Sequence, residues 1–161
     1  MEFSRSFCQQ ESVARLGRRL LAEVVEICRA SEATLWMPSA DGSYLEGALN
    51  HGKTPEILES SAVPVDGSVV GMVFCTGIAT SIGPDDPHHP SIDEKTGLPT
   101  RAMAVAPVCA EGRVRGVLSV MNPTHEGLFS PEDMENLHWK AYLMGLILAD
   151  MAREAAADDV D

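Results

Sequence analysis

The chain is short of aromatic residues, of basic residues and of long apolar runs, and each shortage removes a class of function. Aromatics make up 5% of its 161 residues, so a core has to be built from Val, Leu, Ile, Met and Ala. Lys and Arg number 12 against 24 Asp and Glu, a formal net charge of −12, with a pI near 4.7. Nucleic-acid phosphates and anionic membrane surfaces are bound by concentrated Lys and Arg, so neither nucleic acid nor membrane is an expected partner. No run reaches the ~18 apolar residues of a membrane span; the longest, Ala141 to Ala149, is flanked by Lys140 and Asp150. The four cysteines, Cys8, Cys28, Cys75 and Cys109, form no C-x-x-C pair and no zinc spacing. Cys28 and Cys109 lie in apolar periodic segments and are expected to be buried. Val73, Phe74 and Ile78 around Cys75 predict a buried, unreactive thiol there too. The opening residues MEFSRSFCQQES carry no apolar core of a secretory signal, and a reduced cytoplasm is the expected compartment. A G-x-S-x-G elbow, a phosphate-binding glycine loop and an ordered Ser–His–Asp set are all missing, so nothing demands catalysis.

What is present is one domain's worth of alternating pattern, with 45% apolar residues. From Ser4 to Arg29, Val13, Leu16, Leu20, Val24 and Ile27 recur at helical spacing. Ala33–Met37 and Ser43–Leu49 read as strands joined at Asp41-Gly42, a hairpin signal. His51–Ser60 is polar and ambiguous. Ser61–Val65 is a short strand that Pro64 places at a sheet edge or at the strand's end. Ser68 caps a short helix over Val69–Thr76, and Gly77 stops it. Ile78–Ile82 is a strand, and the Pro-rich, acidic stretch Gly83–Gly97 is a long loop. In Arg101–Cys109 the residues Met103 and Val105 face one way and Ala102, Ala104 and Ala106 the other. After the turn at Glu111-Gly112, Val114, Gly116, Leu118 and Val120 alternate with Arg115, Val117, Ser119 and Met121. Ser130-Pro131-Glu132-Asp133 is a helix start with cap, first-position proline and acid, and that helix is predicted to reach Arg153 before an acidic tail.

This last helix carries two apolar stripes. Leu137, Ala141, Met144, Leu148 and Met151 form one; Trp139, Leu143, Leu146 and Ile147 form the other. One stripe can cover a sheet. The second needs the first helix, or a second copy of the chain, because several exposed large apolar side chains are a liability. The predicted class is α+β: an antiparallel sheet with helices at both ends of the chain.

The residues Asp93-Glu94-Lys95-Thr96-Gly97-Leu98-Pro99-Thr100-Arg101 resemble the D-x-x-T-G-x-x-T-R stretch of the GAF domains of cyclic-nucleotide phosphodiesterases. Ala106-Pro107-Val108 and Gly116-Val117-Leu118 are similar to the strands that follow it. The element order of residues 10–150 is similar to GAF domains throughout. The resemblance implies a six-stranded antiparallel sheet, terminal helices on one face, and a small-molecule pocket under loops and short helices on the other. It also implies a single domain over residues 1–161, with its core at about 10–152. Asn122, Phe129 and Asp133 match the Asn-Lys…Phe…Asp-Glu signature of those phosphodiesterase domains. Pro123 stands where the Lys belongs and Met134 where the Glu belongs. The family's Lys–Asp lock across the closed pocket cannot form through a proline, which argues against a cyclic nucleotide as the cofactor.

The candidate ligand-binding residues are Cys75, His89, Asp93, Thr96, Thr100, Arg101 and Ala104. Arg101 has the planar fork that clamps an anion, against the alternative of a surface ion pair. The small Ala102, Ala104 and Ala106 leave room for either a ligand or a close helix. His88 and His89 beside Asp85, Asp86 and Asp93 match no metal spacing, and no metal is expected. The Gly83–Gly97 loop is expected to be a lid. The function implied is non-enzymatic small-molecule sensing by a regulatory module. Its partners would be a small-molecule ligand, its own copy through the terminal helices, and a separate signalling protein. Two alternatives stand beside it. One is a redox enzyme of the free methionine sulfoxide reductase type, a GAF family whose cysteines sit in the loop corresponding to Gly83–Gly97, where this chain has none. The other is a pure dimerisation module with a filled pocket.

Overall fold

Alternating residues of one sheet divide two kinds of packing in the computed structural model, which describes residues 11–86 and 99–159. The sheet has six antiparallel strands: β1 (Ala30–Pro38), β2 (Tyr44–His51), β3 (Ala62–Pro64), β4 (Thr80–Ile82), β5 (Met103–Ala110) and β6 (Arg113–Pro123). Their order is β3-β2-β1-β6-β5-β4. β3 is an edge strand, where the missing N–H of Pro64 does least harm. Helix α1 (Glu11–Ile27) precedes the sheet, and α4 (Pro131–Asp158) follows it. Two short helices, α2 (Pro55–Glu59) and α3 (Val69–Thr76), interrupt it. This is the expected α+β architecture.

One face lies under the terminal helices. Leu20, Leu21, Val24, Leu35, Leu49, Leu118, Val120, Leu137, Met144 and Leu148 share a buried core there with Ala102, Ala104 and Ala106. The alanine strip is what lets α4 lie close. A Cβ on Gly145 of α4 would stand 2.0 Å from the Cys109 carbonyl oxygen of β5, so helix and strand touch backbone to backbone. The other face holds a second core of Trp36, Leu45, Leu58, Val63, Val70, Val73, Ile82, Met103, Val105 and Val117, covered by α2 and α3. The alternation read in β5 and β6 therefore sorts the two faces correctly.

Several local expectations need correction. The buried residues of α1 are Gly17, Leu20, Leu21 and Val24, whereas Leu16 and Ile27 of the expected stripe are exposed. Residues 1–10 of the expected helix lie outside the described residues. The ambiguous His51–Ser60 stretch contains α2, five residues long and too short to show periodicity. Helix α4 runs to Asp158, past the expected Arg153. Cys109 and Cys75 are exposed, and only Cys28 is buried among the described cysteines. A register shift between Val108 and Cys109 breaks the ladder at that point, and Cys75 lies in the last turn of α3. Among the described residues, no helix is long and apolar enough to cross a membrane.

Candidate functional site

The short helix α3 builds the site. Its N-terminal turn is capped by Ser68, whose Oγ accepts from the Gly71 N–H at 3.0 Å and donates to the Pro64 carbonyl at 2.5 Å. Its C-terminus ends at Gly77, with φ of +69° and an N–H bonded to the Val73 carbonyl. That left-handed turn is what glycine permits at low cost. A cleft of about 850 Å³ runs along α3 to the end of β4. Val65, Met72, Cys75 and Ile82 make it mostly apolar, and Asp66 and Asp86 place carboxylates on its wall. Asp86 also accepts the Gly83 N–H at 2.8 Å, which ties the residues after β4 into a turn.

Between the sheet and the short helices lies a row of buried polar side chains. Thr34 pairs across to Asn50 on β2 and to Ser119 on β6. Asn50 Nδ2 donates to Thr34 Oγ1 at 2.8 Å and to the Ala33 carbonyl at 3.3 Å, leaving Asn50 Oδ1 buried without a partner. Trp36 Nε1 donates to Ser119 Oγ at 2.9 Å. Nothing in the strand pattern distinguishes these residues from ordinary alternation, so sequence reasoning missed the row.

The predicted ligand residues that are described, Cys75, Thr100, Arg101 and Ala104, lie in different surroundings. Cys75 lines the cleft. Thr100 is buried. Arg101 does not point an empty fork at the cleft; its Nη2 donates to the Pro123 carbonyl at 3.0 Å. Ala104 lies in the core under the terminal helices, so on this strip the small side chains accommodate a helix. His89, Asp93 and Thr96 lie outside the described residues, as does most of the expected lid. Among the described residues, no group of three or more His, Cys, Asp or Glu gathers to hold a metal.

Asp133 has a different role from the one its motif implies. With Pro123 where the phosphodiesterase resemblance would put a Lys, Asp133 is 2% exposed and fully paired. Arg29, 104 residues earlier, donates from Nε at 3.2 Å and from Nη2 to both carboxylate oxygens at 3.1 and 3.2 Å. His125 Nε2 lies 3.1 Å from Oδ2, and the Ser130 N–H donates to Oδ2 at 2.8 Å. The reciprocal bond from the Asp133 N–H to Ser130 Oγ completes a capping box. Burial alone would raise this carboxyl's pKa. The Ser130 amide, His125, the Ser130 hydroxyl and Arg29 outweigh it and hold the pKa below the ordinary value. Next to it, burial first and then the Asp133 charge push the Cys28 thiol up to about 12, which leaves it inert.

The GAF domain model matches residues 12–143, and the chain belongs to the GAF domain family. It is similar in fold to the GAF-B domain of DevS from Mycobacterium smegmatis, at 21% identity and a TM-score of 0.72, covering 89% of this chain and 98% of that one. It is also similar to the GAF domain of a phosphoenolpyruvate-protein phosphotransferase from Acinetobacter, at 13% identity and a TM-score of 0.74, covering 96% and 92%. A third similar structure is the free methionine-R-sulfoxide reductase of Neisseria meningitidis in complex with its substrate, at 19% identity and a TM-score of 0.71, covering 94% and 87%. No curated protein is significantly similar to the chain. GAF domains are typically sensory or regulatory modules. The narrower likeness to cyclic-nucleotide phosphodiesterases is not confirmed by these matches.

Proposed function

We propose that this chain is a non-enzymatic sensor that takes a neutral or cationic small molecule into the cleft along α3. The observation that carries this reading is the cleft's lining. Its described walls are apolar apart from a few short polar groups, with carboxylates at Asp66 and Asp86 and no Lys or Arg among them. An anion there would meet like charge, and the guanidinium expected to clamp it is turned to Pro123. Ligand binding would shift the balance between two packings of the terminal helices, which a signalling partner would read. The test is thermal unfolding against matched panels of neutral, cationic and anionic small molecules, with Cys75→Phe as a variant that narrows the cleft beside α3. A hundredfold excess over Kd stabilises by about 2.7 kcal/mol. Stabilisation by neutral or cationic compounds that Cys75→Phe abolishes is the expected result. Stabilisation by cyclic nucleotides alone, or by nothing, would sink the reading.

The sensor is proposed to act as a homodimer through α1 and α4. Trp139 is 60% exposed and Leu146 48%, with Leu16 and Leu143 also exposed. A groove of about 410 Å³ between the two helices is lined by these leucines together with Arg19 and Glu23. Glu23 is held by Lys140 of the same chain at 3.0 Å, and Arg19, one turn before it on the rim, can meet a carboxylate of the other copy across a two-fold axis. Leu146→Glu is expected to give a monomer of unchanged fold by sedimentation velocity; a wild-type chain that is monomeric at all concentrations would refute the dimer.

One observation favours a second reading. Cys75 is exposed and lines the cleft, and a similar fold belongs to a free methionine-R-sulfoxide reductase. Thiol chemistry would then begin at Cys75. Reduction of free methionine sulfoxide by the wild type, lost in Cys75→Ser, would establish that reading; no turnover by the wild type would dismiss it.

A further inference from the structure

Two non-glycine residues with left-handed backbone sit at the same corner of the fold: Arg29 with φ of +55° and Asn122 with φ of +53°. Asparagine adopts this conformation with little penalty, but arginine does so only when its surroundings hold it. Here they do. The Arg29 carbonyl accepts from the Thr124 N–H at 2.7 Å and from Thr124 Oγ1 at 3.1 Å, while its guanidinium grips Asp133.

Asn122 holds the other side of the corner. Its Oδ1 accepts from the Arg101 N–H at 2.6 Å and from the Ala102 N–H at 3.4 Å. Its Nδ2 donates to the Pro99 carbonyl at 3.1 Å, and its own carbonyl accepts from Ser31 Oγ at 2.7 Å. Three residues of the segment entering β5 are thus bound by one side chain. That segment leads directly to Met103, which pairs with Ile82 of the cleft wall.

We propose that Asn122 and the Arg29–Asp133 pair form a single positioning device, which couples the β4–β5 side of the cleft to the end of α1 and the start of α4. Hydrogen bonds join Pro99 to Asn122 and Asn122 to Ser31; two residues of backbone carry Asn122 to Thr124 and Ser31 to Arg29, Thr124 bonds the Arg29 carbonyl, and Arg29 bonds Asp133 in the first turn of α4. Arg29 follows α1 by two residues, so both terminal helices are anchored at this corner. This inference rests on the sensing reading for its purpose, but the coupling is a property of the chain without ligand and is tested without one.

The test is residue-resolved amide hydrogen exchange on the full chain, with Asn122→Gly and Asp133→Asn. Glycine keeps the left-handed backbone and removes only the clamp. Loss of the clamp is expected to speed exchange at Arg101 and Ala102 by about tenfold, and to speed it at Asp133 and Met134 by a comparable factor. Linkage requires the reverse as well: Asp133→Asn is expected to speed exchange at Ala102. Amides of the distant β2–β3 edge, such as Leu45 and Val63, are expected to be unaffected. If Asn122→Gly does not fold, Asn122→Asp retains the acceptor and loses only the donation to Pro99, and the same pattern at smaller amplitude is expected. Effects confined to each variant's own neighbours, or spread evenly over the chain, would overturn the coupling. Coupled exchange with no stabilising small molecule would leave the device standing and defeat the sensing reading. A stabilising ligand with uncoupled exchange would do the opposite.

Discussion

The two faces of this sheet are built from alternate residues of the same strands, yet they are closed in different ways. Under the terminal helices, Ala102, Ala104 and Ala106 meet α4, and Gly145 brings its backbone onto Cys109. Among the described residues that face is packed closely. On the other face, α3 spans eight residues and α2 only five. These short helices cover the second core but leave a cleft beside α3. The polar row Asn50–Thr34–Ser119 lies buried beneath them, and the cleft runs along α3. Small side chains make a tight interface where a long helix can follow the strand. Larger side chains under short helices leave space. On the proposed sensing reading, the first face supplies stability and the second recognition.

The sharpest way to break this comparison is to weaken each face in turn. Leu148 is fully buried on α4, and Leu148→Ala is expected to cost about 3 kcal/mol in urea unfolding. On the cleft side, Met72 of α3 is exposed, and Met72→Ala is expected to stay within about 0.5 kcal/mol. Equal losses at the two positions would mean that the cleft wall is as firmly packed as the helix face. Gly145→Ala comes next. The new methyl would press on the Cys109 carbonyl, and forcing α4 outward is expected to cost about 2 kcal/mol. Because this contact is to backbone, no rotamer change can relieve it.

The corner that joins the faces is expected to be sensitive to pH. The folded-state pKa of Asp133 is depressed, so its stabilisation is complete above the unfolded carboxyl's value of about 3.9 and is lost as pH falls through the folded value. Asp133→Asn is expected to cost about 2 kcal/mol near neutrality, since it leaves Arg29, His125 and the Ser130 amide short of an acceptor. The gap between wild type and variant should narrow as the pH drops below about 4. A constant gap in acid-range denaturation curves would show that the carboxylate's charge is not what stabilises the corner.

Much of the fold was legible because its signals are local. The alternation of β5 assigns Met103 and Val105 to one face and the alanines to the other. Ser130 and Asp133 announce the start of α4, and Ser68 and Gly77 bracket α3. Failures arose where two readings share one pattern or where partners are distant. The apolar band of α1 is wide enough to be read through Leu16 and Ile27, but the helix is rolled so that Gly17 and Leu21 face inward. Cys109 follows a register shift that no composition reveals. The site was less legible than the fold. Arg101 and Ala104 were plausible ligand contacts by type, and tertiary structure directs the first to Pro123 and the second beneath α4. The Arg29–Asp133 pair spans 104 residues, beyond any motif; only the missing Lys at position 123 hinted that Asp133 needed another cation.

Ser119 gives the smallest effect that still separates the faces. Its hydroxyl accepts the Trp36 indole N–H, and both residues are buried. Removing it in Ser119→Ala leaves a buried donor unpaired, and the expected loss is about 1 kcal/mol. Water can lower that cost only if it reaches Trp36. Access from the cleft would therefore reduce the loss, whereas a dry core would keep it in full. Trp36 emission separates the two cases, because an indole newly bonded to water shifts to longer wavelength. A loss near 1 kcal/mol without a red shift would mean that the cleft ends at α3. A smaller loss with a red shift would mean that it continues to the sheet, and a bound molecule would then lie against the row of Asn50, Thr34 and Ser119. Trp139 also emits, so the comparison is made in a Trp139→Phe background. Because Trp139 is exposed on the helix face, its replacement leaves the cleft side as it was.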